Sequence, residues 1–190
     1  MTTRLTSRIA ALGAAAAVGS AALVAVSPSA QAVSGSASYT CGTSLGPQTL
    51  TVKTKVPLPK KVRKGTKVGA KKVTLTVVLP EGLTAGLRGL GVTSLSGTAK
   101  GAKIKIGATK VRLKGIAFTD QKVPASGTMK IRATGKTAPV KLRKRGAQAV
   151  TIPRSFKFSA SDQNGGALIS NSTCALDKGE RAKIGTVKVR

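Results

Sequence analysis

Apolar and polar residues alternate along most of the chain with a period of two. Between positions 50 and 56, Leu50, Val52 and Val56 fall on one face of an extended segment, while Lys53 and Lys55 fall on the other. Because successive side chains of a strand point to opposite faces, this pattern predicts β-strands and not helices. The same alternation, mostly aliphatic on one face and cationic on the other, recurs at 73–79, 102–106, 111–114, 129–132, 140–143, 156–158 and 187–190.

Turn signals rich in glycine separate these segments. Asn164-Gly165-Gly166 stands between two apolar runs and predicts a β-hairpin, since Asn-Gly supplies the positive φ angles of a type I′ turn. Only Leu83 to Leu90 is a candidate for a short helix. About eight to ten short strands with this spacing predict an all-β, antiparallel fold, either a β-sandwich or a barrel.

The N-terminus has the features of a secretory signal peptide. Arg4 and Arg8 form a basic start, Ile9 to Val26 an apolar stretch, and Ala30-Gln31-Ala32 a small-residue cleavage site. An uncleaved membrane anchor is the alternative, but this run of mostly Ala, Gly and Val is less hydrophobic than a stable membrane span. We therefore expect cleavage after residue 32, no transmembrane anchor in the mature protein, and one domain over residues 33–190.

The two cysteines, Cys41 and Cys174, stand near the two ends of the predicted mature chain. An exported protein meets an oxidising environment, so an intramolecular disulfide is expected, with free thiols or an intermolecular bridge as the alternatives. A bridge that joins an early strand to a late one would suit a sandwich.

Several short motifs resemble those of an exported actinobacterial family of unknown function. They are Tyr39-Thr40-Cys41, Leu45-Gly46, the stretch 57–65 (PLPKKVRKG), Leu95 to Ala99 (LSGTA) and the late Cys174. The resemblance covers most of the mature chain and implies an immunoglobulin-like β-sandwich and a location outside the cell. It supplies no catalytic residues.

The composition removes most catalytic chemistry. Without histidine there is no Ser-His-Asp or Cys-His catalysis, and two cysteines cannot build a zinc ribbon or an iron-sulfur site. Of the five carboxylates, Asp177 and Glu180 are expected to be local ion-pair partners in a lysine-rich turn. We therefore predict a protein that is not an enzyme and needs no cofactor or metal.

The charge is the remaining functional signal. The chain carries 33 Lys and Arg against 5 Asp and Glu, a formal charge of +28, and loss of Arg4 and Arg8 with the signal peptide leaves about +26. Strand alternation aligns many of these cations into outward rows that can follow a phosphate chain. The candidate polyanion-binding residues are Lys53, Lys55, Lys103, Lys105, Lys110, Arg112, Lys114, Lys141, Arg143, Lys144 and Arg145.

These observations predict a secreted monomer, retained at the cell wall by electrostatic contact with anionic envelope polymers. One alternative is an interaction module that docks an acidic protein. Another is that the lysines only prevent edge-to-edge aggregation and keep the protein soluble, although solubility requires only a modest charge. Non-specific binding of nucleic acid through its phosphates also fits. Base stacking does not, because Tyr39, Phe118, Phe156 and Phe158 are the only aromatic residues.

Overall fold

The computed structural model describes residues 30–43 and 46–190, with side chains from Ala32 onward. Within these residues fourteen strands and one helix alternate with short turns. They are β1 (Ala30–Thr43), β2 (Gly46–Pro59), β3 (Lys61–Val62), β4 (Lys67–Val68), β5 (Lys72–Leu79), α1 (Glu81–Gly89), β6 (Ser94–Lys100), β7 (Lys103–Ile106), β8 (Thr109–Lys122), β9 (Met129–Thr137), β10 (Val140–Lys141), β11 (Gly146–Thr151), β12 (Ser155–Ser161), β13 (Ala167–Leu176) and β14 (Lys183–Val189).

Eight of these strands close into an antiparallel barrel in the order β1-β2-β5-β9-β8-β6-β12-β13. The closing contact joins the first barrel strand to the last, where Tyr39, Thr40 and Cys41 of β1 lie opposite Leu176, Ala175 and Cys174 of β13. The predicted immunoglobulin-like sandwich is therefore wrong, although the all-β, antiparallel prediction for the main sheet is confirmed. Alternation shows that each strand buries one face, and both architectures satisfy that requirement.

A second sheet extends from one end of the barrel. Strand β8 belongs to both sheets, and its first half continues the order β8-β7-β11-β14-β3, in which β3 and β14 are parallel. Both sheets share one apolar core. Close packing of β1 against β14 requires two glycines: a Cβ on Gly35 would lie 2.5 Å from Ile184 Cγ2, and one on Gly185 would lie 2.6 Å from Val33 Cγ1.

The predicted disulfide is confirmed. Cys41 and Cys174 face each other across β1 and β13, 133 residues apart in sequence, and both are buried. The bond therefore lies directly on the closing seam of the barrel. Free thiols and an intermolecular bridge are excluded, because both half-cystines are paired within the chain.

The local predictions have mixed outcomes. In β2 the apolar positions are buried and the lysines exposed, as the alternation predicts. The helix forms, but over Glu81–Gly89. The hairpin between β12 and β13 also forms, but its turn is not type I′. Within that turn only Gly165 has a positive φ, +82°, and the Asp162 carboxylate accepts hydrogen bonds from the amides of Asn164 and Gly166 at 2.9 and 2.7 Å.

The predicted signal peptide lies almost wholly outside the described residues. Of its 32 positions only Ala30 to Ala32 are described, and their backbone pairs with Pro57 to Pro59 at the start of β1. Cleavage before Val33 and the single domain over 33–190 stay predictions. Among the described residues, no helix is long and apolar enough to cross a membrane.

Tyr39, the only tyrosine in a chain without tryptophan, provides a test of the barrel seam. Its ring is 2% exposed, and its hydroxyl donates a 2.6 Å hydrogen bond to the Pro153 carbonyl oxygen. Burial, and secondly the negative charge of Glu180, raise the pKa of Tyr39 far above its usual value of about 10. The folded state therefore favours the neutral phenol.

We expect the tyrosinate absorbance band to be absent from the folded protein at pH 11 and to appear only when the protein unfolds. Since the pKa is raised on folding, Tyr39 contributes its full stability below pH 10 and loses it as the pH rises above that value. Above pH 10 the free energy of unfolding should fall with rising pH more steeply in wild type than in the Tyr39→Phe variant, which contains the same lysines. A reversible tyrosinate band near pH 10 in the folded protein would contradict the buried seam.

Candidate functional site: a cationic surface

Strands β7 and β8 place four of the predicted cations directly opposite one another. Lys103 lies opposite Arg112, and Lys105 lies opposite Lys110. All four are exposed, while the residues between them, such as Ile104 and Val111, are buried on the other face. Opposed Cβ atoms lie about 5 Å apart, and successive outward residues of a strand about 7 Å apart. We call Lys103, Lys105, Lys110 and Arg112 the cation ladder.

A second row crosses three barrel strands beside the ladder. Lys114 continues the outward face of β8 and lies opposite Lys136 on β9, which in turn lies opposite Lys72 on β5. These three lysines border an open depression of about 600 Å³ that also contacts Gly115 and Gly135. We call Lys72, Lys114 and Lys136 the lateral row.

A further depression lies on the other side of the ladder. Its volume is about 440 Å³, and its lining includes Lys103, Lys105, Lys110 and Arg154. The ladder thus borders an open groove, and the lateral row borders another. Both grooves are lined by cations without a carboxylate.

Like charges face each other repeatedly on the sheets, both within the ladder and the lateral row and elsewhere. Directly opposed like charges destabilise a sheet, and here their neighbours do not neutralise them. Within the described residues the ion pair that forms joins Lys122 Nζ to Asp120 Oδ1 at 3.3 Å, both exposed. The seven opposed pairs are Lys103–Arg112, Lys105–Lys110, Lys114–Lys136, Lys72–Lys136, Lys67–Lys141, Lys100–Lys157 and Lys61–Lys188.

The carboxylates lie away from this surface or have other partners. Glu81, Asp120 and Asp162 lie at the end of the barrel that carries α1, where β5, β8 and β12 end. Hydrogen bonds from Ser94 and Lys122, together with the Lys122 charge, lower the pKa of Asp120. Asp177 accepts a 2.7 Å hydrogen bond from Thr40 Oγ1. Among the described residues neither Asp177 nor Glu180 forms an ion pair, so the predicted local ion pairing is wrong.

The predicted residues lie on three parts of the fold. The ladder and Lys114 lie together on β7 and β8. Lys53 and Lys55 lie on the outer face of β2, opposite Thr76 and Thr74 of β5, which separate them from the cations of β9. The third group follows Lys141, which lies opposite Lys67 on β4. Its other members, Arg143, Lys144 and Arg145, are exposed in the connection to β11 around the buried Leu142.

Sequence reasoning missed Lys72 and Lys136, which complete the lateral row. Lys72 is the first residue of β5, and Lys136 is the penultimate residue of β9. Neither has a cationic residue two positions away in the sequence, so neither belongs to a visible row. Their association with Lys114 depends on the register of three strands that are distant in sequence. The available signal was only that each lysine stands at a polar position of a strand whose sequence alternates between apolar and polar residues.

The cationic surface belongs to a region that a known protein family covers. No curated protein matches the chain, and no solved structure matches it. The sequence model of a family described as a family of unknown function (DUF6801) matches residues 38–185, which include both the ladder and the lateral row. The resemblance to a family of unknown function is confirmed to this extent. The chain belongs to this family of unknown function, DUF6801.

Proposed function

We propose that this protein is exported, does not act as an enzyme, and binds anionic polymers of the cell envelope through the cation ladder and the lateral row. The observation that carries the proposal is the register of β7 and β8, which opposes two pairs of exposed cations with no carboxylate beside them. A sheet that only required solubility would gain more from mixed charges than from opposed like charges. The arrangement supports an anionic ligand that neutralises it.

The type of cation favours recognition of charge over recognition of sequence. The full chain has 22 Lys and 11 Arg, and the ladder has three lysines and one arginine. Lysine is a compact charge, whereas arginine forms the planar fork that reads bases and carboxylates bidentately. Repeating phosphates along a flexible polymer are the ligand that such rows fit best.

The aromatic residues do not extend this surface. Tyr39 and Phe118 are buried, and Phe156 and Phe158 contact them within the barrel at centroid distances of 5.2 and 6.1 Å. Proteins that bind single-stranded nucleic acid stack bases on exposed aromatic rings beside a positive groove. Nucleic acid would therefore bind only through the charge of its phosphates. A wall polymer of the teichoic acid type fits the proposed location better.

Binding of the folded, oxidised protein to purified wall material, teichoic acid and DNA across a salt series tests this function. We expect tightest binding to one envelope polymer, with the logarithm of the binding constant falling linearly with the logarithm of salt concentration. The control is the reduced, unfolded protein, which carries the same side-chain charges. Equal binding by both forms would contradict a role for the arranged rows. Cross-linking in cells to one stoichiometric acidic protein would instead favour the alternative of a protein partner.

A further inference from the structure

The interior of the barrel is incompletely filled. A barrel of eight strands is just wide enough for side chains to fill it or to hold one small ligand. This chain has only three Phe and no Trp to fill that space, and a cavity of about 80 Å³ remains near α1. Its lining includes Leu50, Leu79, Ile131, Ala160 and Leu168.

A second void of about 40 Å³ continues the first along the barrel axis. On several strands its lining lies two residues farther from α1: Tyr39 replaces Cys41 on β1, and Ala133 replaces Ile131 on β9. Phe158 lines both voids and stacks on Phe118 with the ring planes 16° apart. The two voids are therefore in line, with this ring pair between them.

The lining is apolar and its few polar groups have partners. The Tyr39 hydroxyl is bonded to Pro153, and no charged side chain lines either void. Among the described residues no buried side-chain nitrogen or oxygen lacks a hydrogen-bond partner. A cavity without free polar groups does not hold ordered water but accepts apolar molecules.

The larger void reaches the surface beside α1. Leu83, Leu87 and Leu90 line it from the helix side. Leu90 is 63% exposed, and among the described residues it is the one large hydrophobic side chain that is exposed. Helix α1 includes Gly82, Gly86 and Gly89, which lower its intrinsic stability. The Arg88 side chain connects the helix to the segment after β8, because its Nη1 donates a 3.1 Å hydrogen bond to the Pro124 carbonyl oxygen. Helix α1 therefore forms one wall of the opening of this void.

We propose that the barrel interior binds a linear aliphatic chain, which enters end first past α1. Two narrow voids in line fit an extended hydrocarbon better than a ring system, and the uncharged lining leaves any head group outside. A free fatty acid and the acyl chain of a lipid share this chemistry. This binding site is separate from the cationic surface, so it does not depend on the proposed function.

Neutral n-alkanols are the appropriate first probes, because an anionic amphiphile would also bind the cationic surface. Each methylene buried should strengthen binding about threefold to fourfold until the chain reaches the end of the second void, after which affinity should level off. Tyr39 lines only the inner void, and it is the only tyrosine. Its fluorescence should therefore respond only to chains long enough to pass Phe118 and Phe158.

Three matched alanine-to-leucine variants locate the site. Ala160→Leu fills the outer void and should abolish alkanol binding while the melting temperature of the free protein stays the same or rises. Ala99→Leu fills the inner void and should keep short-chain binding but remove the Tyr39 response. Ala175→Leu, on the exposed face of β13, is the control and should bind like wild type.

Direct contacts keep the test valid if a filling variant does not fold. In wild-type protein, nuclear Overhauser effects should join the terminal methyl of a long alkanol to ring protons of Phe118, Phe158 and Tyr39. Saturable binding with these contacts would support the proposal. Titrations with a fatty acid and with a lysophospholipid then identify which source of the chain is bound. Absence of saturable binding, or unchanged binding by a folded Ala160→Leu, would overturn the proposal.

Discussion

Replacement of both half-cystines, Cys41→Ala together with Cys174→Ala, is expected to lower the free energy of unfolding by about 4–5 kcal/mol. The bond closes a loop with a sequence separation of 133 residues, so its loss restores much entropy to the unfolded chain. Backbone pairing across the seam is also short, because only three residue pairs of β1 and β13 are in register. This loss is a large fraction of the about 5–15 kcal/mol by which a folded domain is typically stable.

Urea denaturation of the double variant and of wild type measures the difference. Wild-type protein treated with a reductant should show the same loss, which separates the missing bond from the alanine side chains. Hydrogen exchange should accelerate first at the amides of Tyr39, Thr40 and Ala175, along the seam, and much less in β7 and β11. A loss below about 1 kcal/mol would mean that packing and hydrogen bonds alone hold the barrel closed.

Neutralisation of the cation ladder should weaken polyanion binding about a hundredfold to a thousandfold at low salt. The variant replaces Lys103, Lys105, Lys110 and Arg112 with glutamine. Each cation beside an anionic surface contributes about 1 kcal/mol, and each lost contact reduces the salt slope by about 0.7–0.9. The same variant should be more stable by about 1 kcal/mol, because two opposed like-charge pairs are removed.

A variant with the same change in charge provides the control. Lys53, Lys55, Lys130 and Arg132 lie on the outer barrel wall, where threonines of β5 separate the β2 cations from Arg132. Their replacement with glutamine should reduce binding far less than loss of the ladder and leave most of the salt slope. Equal losses in the two variants would show that net charge, and not the register of β7 and β8, determines binding.

The fold was predictable up to the closure of its main sheet. Alternation located the barrel strands β2, β5, β8, β9 and β12, because burial of one face is a local property, visible at Leu50, Val52 and Val56. It did not mark β1 or β6, and β13 was indicated only by the predicted hairpin. Whether the first strand then pairs with the last depends on strand length, twist and register, none of which leaves a local pattern. The disulfide was predictable, yet a bond between an early and a late strand fits a sandwich as well as a barrel.

The candidate site was predictable one strand at a time. Outward rows such as Lys110, Arg112 and Lys114 follow from alternation alone, and the structure places all three on β8. That Lys103 lies opposite Arg112 requires knowledge of the hairpin register, and the lateral row of Lys72, Lys114 and Lys136 requires the order of three strands. The incompletely filled interior became visible only with the closed barrel.

The distribution of carboxylates gives the molecule an electric dipole. Glu81, Asp120 and Asp162 lie at the α1 end, where Arg88, Lys122 and Lys130 balance them. Asp177 and Glu180 follow the far end of β13, where most of the other cations, together with those of the second sheet, greatly outnumber them. In the field of a negatively charged polymer such a molecule turns before it makes contact, with its second sheet leading. The α1 end, with Leu90 at its surface, then faces away from the polymer. Attachment at one pole therefore leaves the opposite pole accessible to solution.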